Sequence, residues 1–324
     1  MELSIGKRRG LAQCSNPYGV FSIMALDHRN NLRNAMNPGN PQAVNDAMMS
    51  AFKLEVVQAL APASSAVLLD PELGASQAVA AGALPGTTGL VVAVESTGYV
   101  GEPTGRESQV LPGWSVGKIK RMGASALKLL VYYHPDSDLA AEQENLVRTI
   151  AEACDRYDLP FFLEPLGYSI DPAVKKLSPD ERRRVVIETA RNLSPLGIDI
   201  LKAEFPLDVK AQPDEGVWEE ACRELTAASS VPWLLLSGGV DFDTFLAQVA
   251  AACKAGASGV MAGRAVWQEA VDLQGEARRD FLHGEGVVRM RRLEAVCTGL
   301  GVPWTRAYPP AETASEWYQG YPDF

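Results

Sequence analysis

The sequence is poor in the residues that usually mark metal or redox chemistry. It has three histidines, His28, His134 and His283, and no two of them stand in an HxH or HxxxH spacing. No cysteine lies near them either, so zinc-site spacing is missing, and a mechanism without metal or other cofactor is expected. The five cysteines are odd in number, widely spaced and include no CxxC. That excludes a disulfide framework and predicts a reducing, cytoplasmic setting. Positive charge is also scarce. The 30 Lys and Arg residues face 40 Asp and Glu, a net charge of −10, which repels phosphate backbones and anionic lipid over most of the surface. Nucleic acid and membrane are therefore poor partners. An anionic small-molecule substrate would have to be held by a few basic groups gathered in one cleft. No stretch reaches the roughly 18 uncharged apolar residues of a spanning helix. Lys7, Arg8 and Arg9 ahead of the apolar run 21–26 imitate a signal peptide. That run is short and ends at Asp27, His28 and Arg29 without a small-residue cleavage site, so it is expected to be a strand.

What the chain does have is a regular alternation. Among its 324 residues, 47% hydrophobic, eight short apolar runs stand at 21–27, 65–70, 89–95, 126–133, 160–166, 198–206, 232–239 and 256–265. Their starts are 24 to 44 residues apart. Near-continuous apolar runs of this length suit strands buried on both faces. Most of the intervening segments look helical. Ser178-Pro-Asp-Glu181 is a capping box with proline at the first helical position, opening a helix to about Leu193. Leu246, Val249, Ala250 and Cys253 follow helical spacing after Asp241 or Asp243 as N-cap, and Val44, Met48, Ala51 and Phe52 do the same earlier. Eight strands alternating with helices predict a single (β/α)8 TIM barrel over 1–302. An open doubly wound sheet is the alternative, but no GxGxxG follows the first strand. Residues 303–324 differ. They carry Trp304, Tyr308, Trp317, Tyr318, Tyr321 and Phe324 with four prolines and no helical period. This aromatic-rich C-terminal tail is expected to cover a surface, on its own barrel or on a neighbouring subunit of a homo-oligomer.

In such a barrel the reacting groups sit at the C-terminal ends of the strands. Asp27, Asp70 and Glu95 end the first three runs, and Glu164 lies late in the fifth. Asp70, followed by Pro71, reads as a cap or ion-pair residue. Lys128 and Lys202 are stranger, because they lie inside apolar runs and lysine is rarely buried unless paired. Alternation puts Lys202 and Glu204 on one face, and Lys128 and Tyr132 on one face. Burial and a neighbouring cation lower a lysine's pKa and expose a nucleophilic amine, which is what Schiff-base chemistry needs. Two structural ion pairs, Lys128 with Glu164 and Lys202 with Glu204, are the plainer reading. Ser237-Gly238-Gly239 after the seventh strand and Gly263-Arg264 after the eighth stand where barrels commonly bind phosphate.

These segments, Ala25-Leu-Asp-His-Arg29, Ser65 to Pro71, Ala126 to Tyr133, Phe161-Phe-Leu-Glu-Pro165, Leu201-Lys-Ala-Glu-Phe-Pro206, Leu236-Ser-Gly-Gly-Val240 and Ala262-Gly-Arg-Ala-Val-Trp267, are collinear motifs. They resemble the tagatose 1,6-bisphosphate aldolase family and the related sulfofructose phosphate aldolases. The resemblance implies a class I aldolase with Lys202 as the Schiff-base lysine, Lys128 as its second lysine, Glu164 as acid/base and Asp27 orienting hydroxyls. It places phosphate on Ser237, Gly238, Gly239, Gly263 and Arg264, and substrate near His28 and Glu95. The chain departs from the family where Gln is common and His28 stands, and where Lys-Val-Glu is common and Lys202-Ala203-Glu204 stands. The expected reaction cleaves a ketose bisphosphate, D-tagatose 1,6-bisphosphate, to dihydroxyacetone phosphate and glyceraldehyde 3-phosphate. A 6-deoxy-6-sulfofructose 1-phosphate aldolase and a non-catalytic sugar-phosphate-binding barrel are the alternatives.

Overall fold

In the computed structural model, which describes residues 3–321, eight parallel strands close into one barrel in chain order. They are β1 (Phe21–Leu26), β2 (Ala66–Leu69), β3 (Gly89–Ala93), β4 (Ala126–Tyr132), β5 (Phe161–Leu166), β6 (Ile200–Ala203), β7 (Trp233–Leu236) and β8 (Gly259–Ala262). Each falls within one of the eight apolar runs. β1 pairs with β2 and with β8, so the sheet has no edge. Every residue of β1, β2, β3, β6, β7 and β8 is buried. One face of each strand lies under helices and the other fills the barrel, which is why the runs do not alternate with polar residues.

The alternation that matters runs along the barrel axis. Phe21, Ala126, Phe162, Ile200 and Leu234 belong to an apolar interior cluster, with Phe21 edge-on to Phe162 at 5.8 Å. Two residues further along three of these strands stand Lys128, Glu164 and Lys202. A side-chain period of two sends each charged residue to the same inner face as the apolar residue before it, one layer higher. The lower barrel is thus a packed plug and the charged layer lies directly above it.

The lower end is closed by both ends of the chain. The helix Ile5–Cys14 contributes Leu11 and Cys14 to the interior cluster, and Trp304 and Tyr308 join it. The Tyr308 hydroxyl donates to the Asp199 carbonyl at 2.8 Å, and buried Lys7 pairs with the Asp199 carboxylate at 2.9 Å. The Trp304 indole donates to Ser15 Oγ, and the Gly6 N–H donates to the Tyr321 hydroxyl. Trp317 and Tyr318 remain exposed, and Phe324 lies outside the described residues.

The helix Pro179–Leu193 opens with the expected reciprocal capping box. In the helix Phe242–Lys254 the cap is Asp241, whose side chain accepts from the Thr244 N–H. Its buried face carries Phe242, Phe245, Gln248, Val249, Ala252 and Cys253, so the expected stripe holds at Val249 and Cys253 while Leu246 and Ala250 are only half-buried. The earlier helix, Asp46–Leu60, overturns its expected stripe more fully. Its buried face is Met49, Phe52, Lys53, Val56, Val57 and Leu60. Met48 and Ala51 are exposed, and Val44 is buried ahead of the helix, not on it. A lysine on the apolar face disguised the true stripe. Lys53 is tolerated there because it pairs with buried Asp70, whose other oxygen accepts the Leu73 N–H at 2.7 Å.

Candidate active site

A cavity of about 280 Å³ opens at the C-terminal ends of the strands, on the scale of a small-metabolite site. All the sequence-derived site residues except Gly239 line it: Asp27, His28, Glu95, Lys128, Glu164, Lys202, Ser237, Gly238, Gly263 and Arg264. Gly239 adjoins it, since a Cβ placed there would lie 3.6 Å from the Arg264 guanidinium. Its φ of +81° belongs to the left-handed region that glycine adopts without strain.

At the floor, the Lys128 ammonium sits among three carboxylates: Asp27 Oδ2 at 2.8 Å, Glu95 Oε1 at 2.7 Å and Glu164 Oε2 at 2.8 Å. The other Glu164 oxygen, Oε1, lies 2.7 Å from Lys202 Nζ. Glu164 therefore bridges the two lysines. The expected Lys128–Glu164 pair is present, but the Lys202–Glu204 pair is not. β6 ends at Ala203, so Glu204 is released from the strand's alternation. Its carboxylate instead pairs with Arg182 at 3.0 Å and accepts the Gly167 N–H at 2.7 Å.

The cluster's charges settle which groups are ionised. Burial alone would lower Lys128, but Asp27, Glu164 and Glu95 overcome it and raise its pKa well above the ordinary value. The expectation of a lowered lysine pKa fails for Lys128, which is a fixed cation. Burial pushes Asp27 and Glu164 upward, yet Lys128 and Lys202 outweigh it and hold both below the usual carboxylate range. His28 is brought down to about 4 by burial, opposed by Asp27 and reinforced by Arg264, Lys202 and Lys53. At neutral pH its imidazole carries no charge. Its Nδ1 is buried without a hydrogen-bond partner among the described residues, and its ring stands edge-on to Trp267 at 5.2 Å.

Glu95 is occupied as an anchor. Besides Lys128, it accepts the Leu130 N–H on Oε2 at 3.1 Å. Arg29 is occupied as well, pairing with Glu72 at 2.8 Å and donating to the Glu95 carbonyl at 3.0 Å. Arg264 is different. Among the described residues no carboxylate pairs with it, and its Nε is buried with no hydrogen-bond partner. The Gly263 N–H donates to Ser237 Oγ at 2.9 Å, tying the β7 and β8 loops together beside that guanidinium.

Related sequences and a similar fold occur among known enzymes. Residues 21–269 match the DeoC/LacD family aldolase description. The chain belongs to that family. It is 33% identical over 330 residues to tagatose 1,6-diphosphate aldolase 2 of Streptococcus mutans serotype c, covering 94% of this chain and 98% of that one. Identity is also 33% over 326 residues to the tagatose 1,6-diphosphate aldolase of Lactococcus lactis subsp. lactis, covering 94% and 99%. A crystal structure of an archaeal fructose 1,6-bisphosphate aldolase superposes with a TM-score of 0.59 at 22% identity, covering 90% of this chain and 99% of that one. That likeness carries the fold.

Two features of the aldolase site were not legible in its motifs. One is Lys53, a buried cation behind the site whose charge reaches His28; its signal was a lone lysine at stripe spacing between Met49 and Val56. The other is the use of Glu95 to fix Lys128 in place. Among the described residues no helix is long and apolar enough to cross a membrane.

Proposed function

We propose that this aldolase cleaves a ketose 1,6-bisphosphate, D-tagatose 1,6-bisphosphate, through an imine on Lys202, without a metal or other cofactor. The observation that carries the reading is the Glu164 bridge: one carboxylate touches both lysines, one lysine is locked as a cation by three acids, and the other has that single acid as its partner among the described residues. The motif resemblance and the tagatose bisphosphate relatives support the substrate.

In this reading Lys202 Nζ, after giving a proton to Glu164, attacks the C2 carbonyl carbon. Glu164 returns that proton to the carbinolamine hydroxyl, which leaves as water, and the resulting iminium is the electron sink. Glu164 then takes the C4 hydroxyl proton as the C3–C4 bond breaks. Its electron pair flows into the iminium to give an enamine, and glyceraldehyde 3-phosphate leaves. Protonation at C3 and addition of water release dihydroxyacetone phosphate and regenerate the amine. Lys128 is a fixed positive charge beside Glu164, holding that carboxylate ionised between its transfers. Asp27 accepts from substrate hydroxyls, and Arg264 with the Gly238 and Gly239 backbone receives the C1 phosphate.

The test is trapping. With dihydroxyacetone phosphate and borohydride in excess EDTA, the peptide holding Lys202 is expected to gain the mass of the reduced triose phosphate adduct, and Lys202→Ala to abolish it. An adduct on Lys128, or labelling and turnover that need a divalent ion, overturns the assignment.

A further inference from the structure

A ketose bisphosphate carries two anions, and the site described so far receives one. The other cations of the mouth are committed: Lys128 to three carboxylates, Lys202 to Glu164, and Arg29 to Glu72 and Glu95. One further guanidinium, which does not itself line the cavity but lies against Tyr132, which does, pairs with no carboxylate among the described residues. Arg106 lies against three tyrosine rings, 4.9 Å from the centroid of Tyr99, 5.4 Å from Tyr132 and 5.1 Å from Tyr168. Its Nε donates to the Pro103 carbonyl at 2.9 Å, and among the described residues neither terminal nitrogen has a hydrogen-bond partner. Aromatic faces hold a guanidinium without neutralising it. The result is a preorganised, half-buried cation with its two-donor fork unused.

The segment carrying Arg106 is built to hold that position. After β3 the chain makes a short antiparallel arm, with Val100 and Glu107 exchanging N–H···O bonds at 2.9 Å. Its tip needs Gly101, at φ +92°, where a Cβ would come within 2.6 Å of the Gly105 carbonyl. At its base Ser108 Oγ accepts the Tyr132 N–H at 2.9 Å, and buried Gln143 receives the Ser108 N–H. The arm is thereby fastened to the end of β4, and Tyr132 lines the cavity.

Barrel order gives the direction. β4 and β8 are four strands apart in a ring of eight, so they face each other across the mouth, with Lys202 on β6 midway and Glu164 on β5 between β6 and β4. We propose that Arg106, caged by Tyr99, Tyr132 and Tyr168, is the receptor for the anion on C6, the tetrahedral oxyanion that leaves with the aldehyde fragment. This rests on the Lys202 imine reading: with C2 on β6 and the C4 hydroxyl at Glu164 on β5, the carbon chain runs toward β4. Arg264 on β8 is then left for C1. A phosphate or a sulfonate would satisfy the same fork.

The experiment runs the reaction in the condensation direction. Arg106→Ala is expected to raise KM for glyceraldehyde 3-phosphate by about tenfold to a hundredfold, as for a partly screened charge pair. KM for dihydroxyacetone phosphate, borohydride trapping of it on Lys202, and the rate with unphosphorylated glyceraldehyde are expected to stay unchanged. Arg106→Lys is expected to recover part of the loss. Sulfolactaldehyde run alongside distinguishes the source: the aldehyde whose KM depends more on Arg106 bears the natural anion. An unchanged KM for both anionic aldehydes overturns the proposal. An equal loss with unphosphorylated glyceraldehyde also overturns it, because the arm would then serve shape and not charge. Weakened dihydroxyacetone phosphate trapping with intact aldehyde affinity would place Arg106 at C1, against the proposal. Absence of trapping in the unaltered enzyme would instead sink the imine reading on which it stands.

Discussion

The division of labour among the site's cations follows from what each already touches. Lys128 has as many carboxylate neighbours as an ammonium has protons, so it has no free donor for substrate and acts through its charge. Arg264 is half-buried, with a buried Nε that has no hydrogen-bond partner among the described residues, and a buried donor left unpaired is costly unless a ligand completes it. Truncating one partner of a hydrogen-bonded charge pair costs about 2 to 5 kcal/mol, so Arg264→Ala is expected to lower kcat/KM by roughly 30-fold to several thousandfold. Arg264→Lys is expected to return only part of this, since a point charge lacks the fork. Thermal melting separates this role from a structural one. With no carboxylate partner to lose, Arg264→Ala is expected to melt close to the parent; a drop of several degrees with normal turnover would mean that the guanidinium serves the rim and not the substrate.

At the scale of elements, the helix Asp46–Leu60 shows why its buried face is hard to read. Met48 and Met49 are adjacent and equally apolar, yet one is nearly half exposed and the other fully buried. Met49→Ala is expected to cost about 2 to 5 kcal/mol in a denaturant titration, the usual range for a cavity of this kind, and Met48→Ala to stay within about 0.5 kcal/mol. A reversed order would show that the helix sits in another register in solution. The strands were legible because a doubly buried strand must be continuously apolar, and the lysines stood out because they break that rule. Helix faces were less so, because buried Lys53 interrupts the stripe and its partner Asp70 is distant in sequence. The same limit applied to Lys202. Its position was readable from strand alternation, but its acid was not, since alternation says nothing once β6 ends at Ala203. Cross-strand neighbours settle that question, and Glu164 is one strand away in space but 38 residues away in sequence.

For the molecule as a whole, the charged layer above the apolar plug makes stability acid-sensitive in two stages. His28 has a folded pKa of about 4 against an ordinary value near 6.5. Between those values the unfolded chain binds a proton that the folded chain does not, so stability falls as pH drops from about 6.5 toward 4. Asp27 and Glu164 are held below the ordinary carboxylate range. Their contribution is present above that range and is lost as pH falls further, through their lowered folded values. Asp199, raised by burial against Lys7, acts in the opposite sense just above the ordinary carboxylate value and blunts the junction of the two stages. His28→Gln isolates the first stage. Glutamine does not titrate, so the slope of Tm against pH between about 6.5 and 4 is expected to flatten in the variant, while the steeper loss below 4 persists because Lys128 still holds its acids. Parallel Tm profiles for parent and variant across that upper window would mean that His28 titrates alike in the folded and unfolded chains, and that the imidazole is not held neutral by its place between Arg264, Lys202 and the barrel wall.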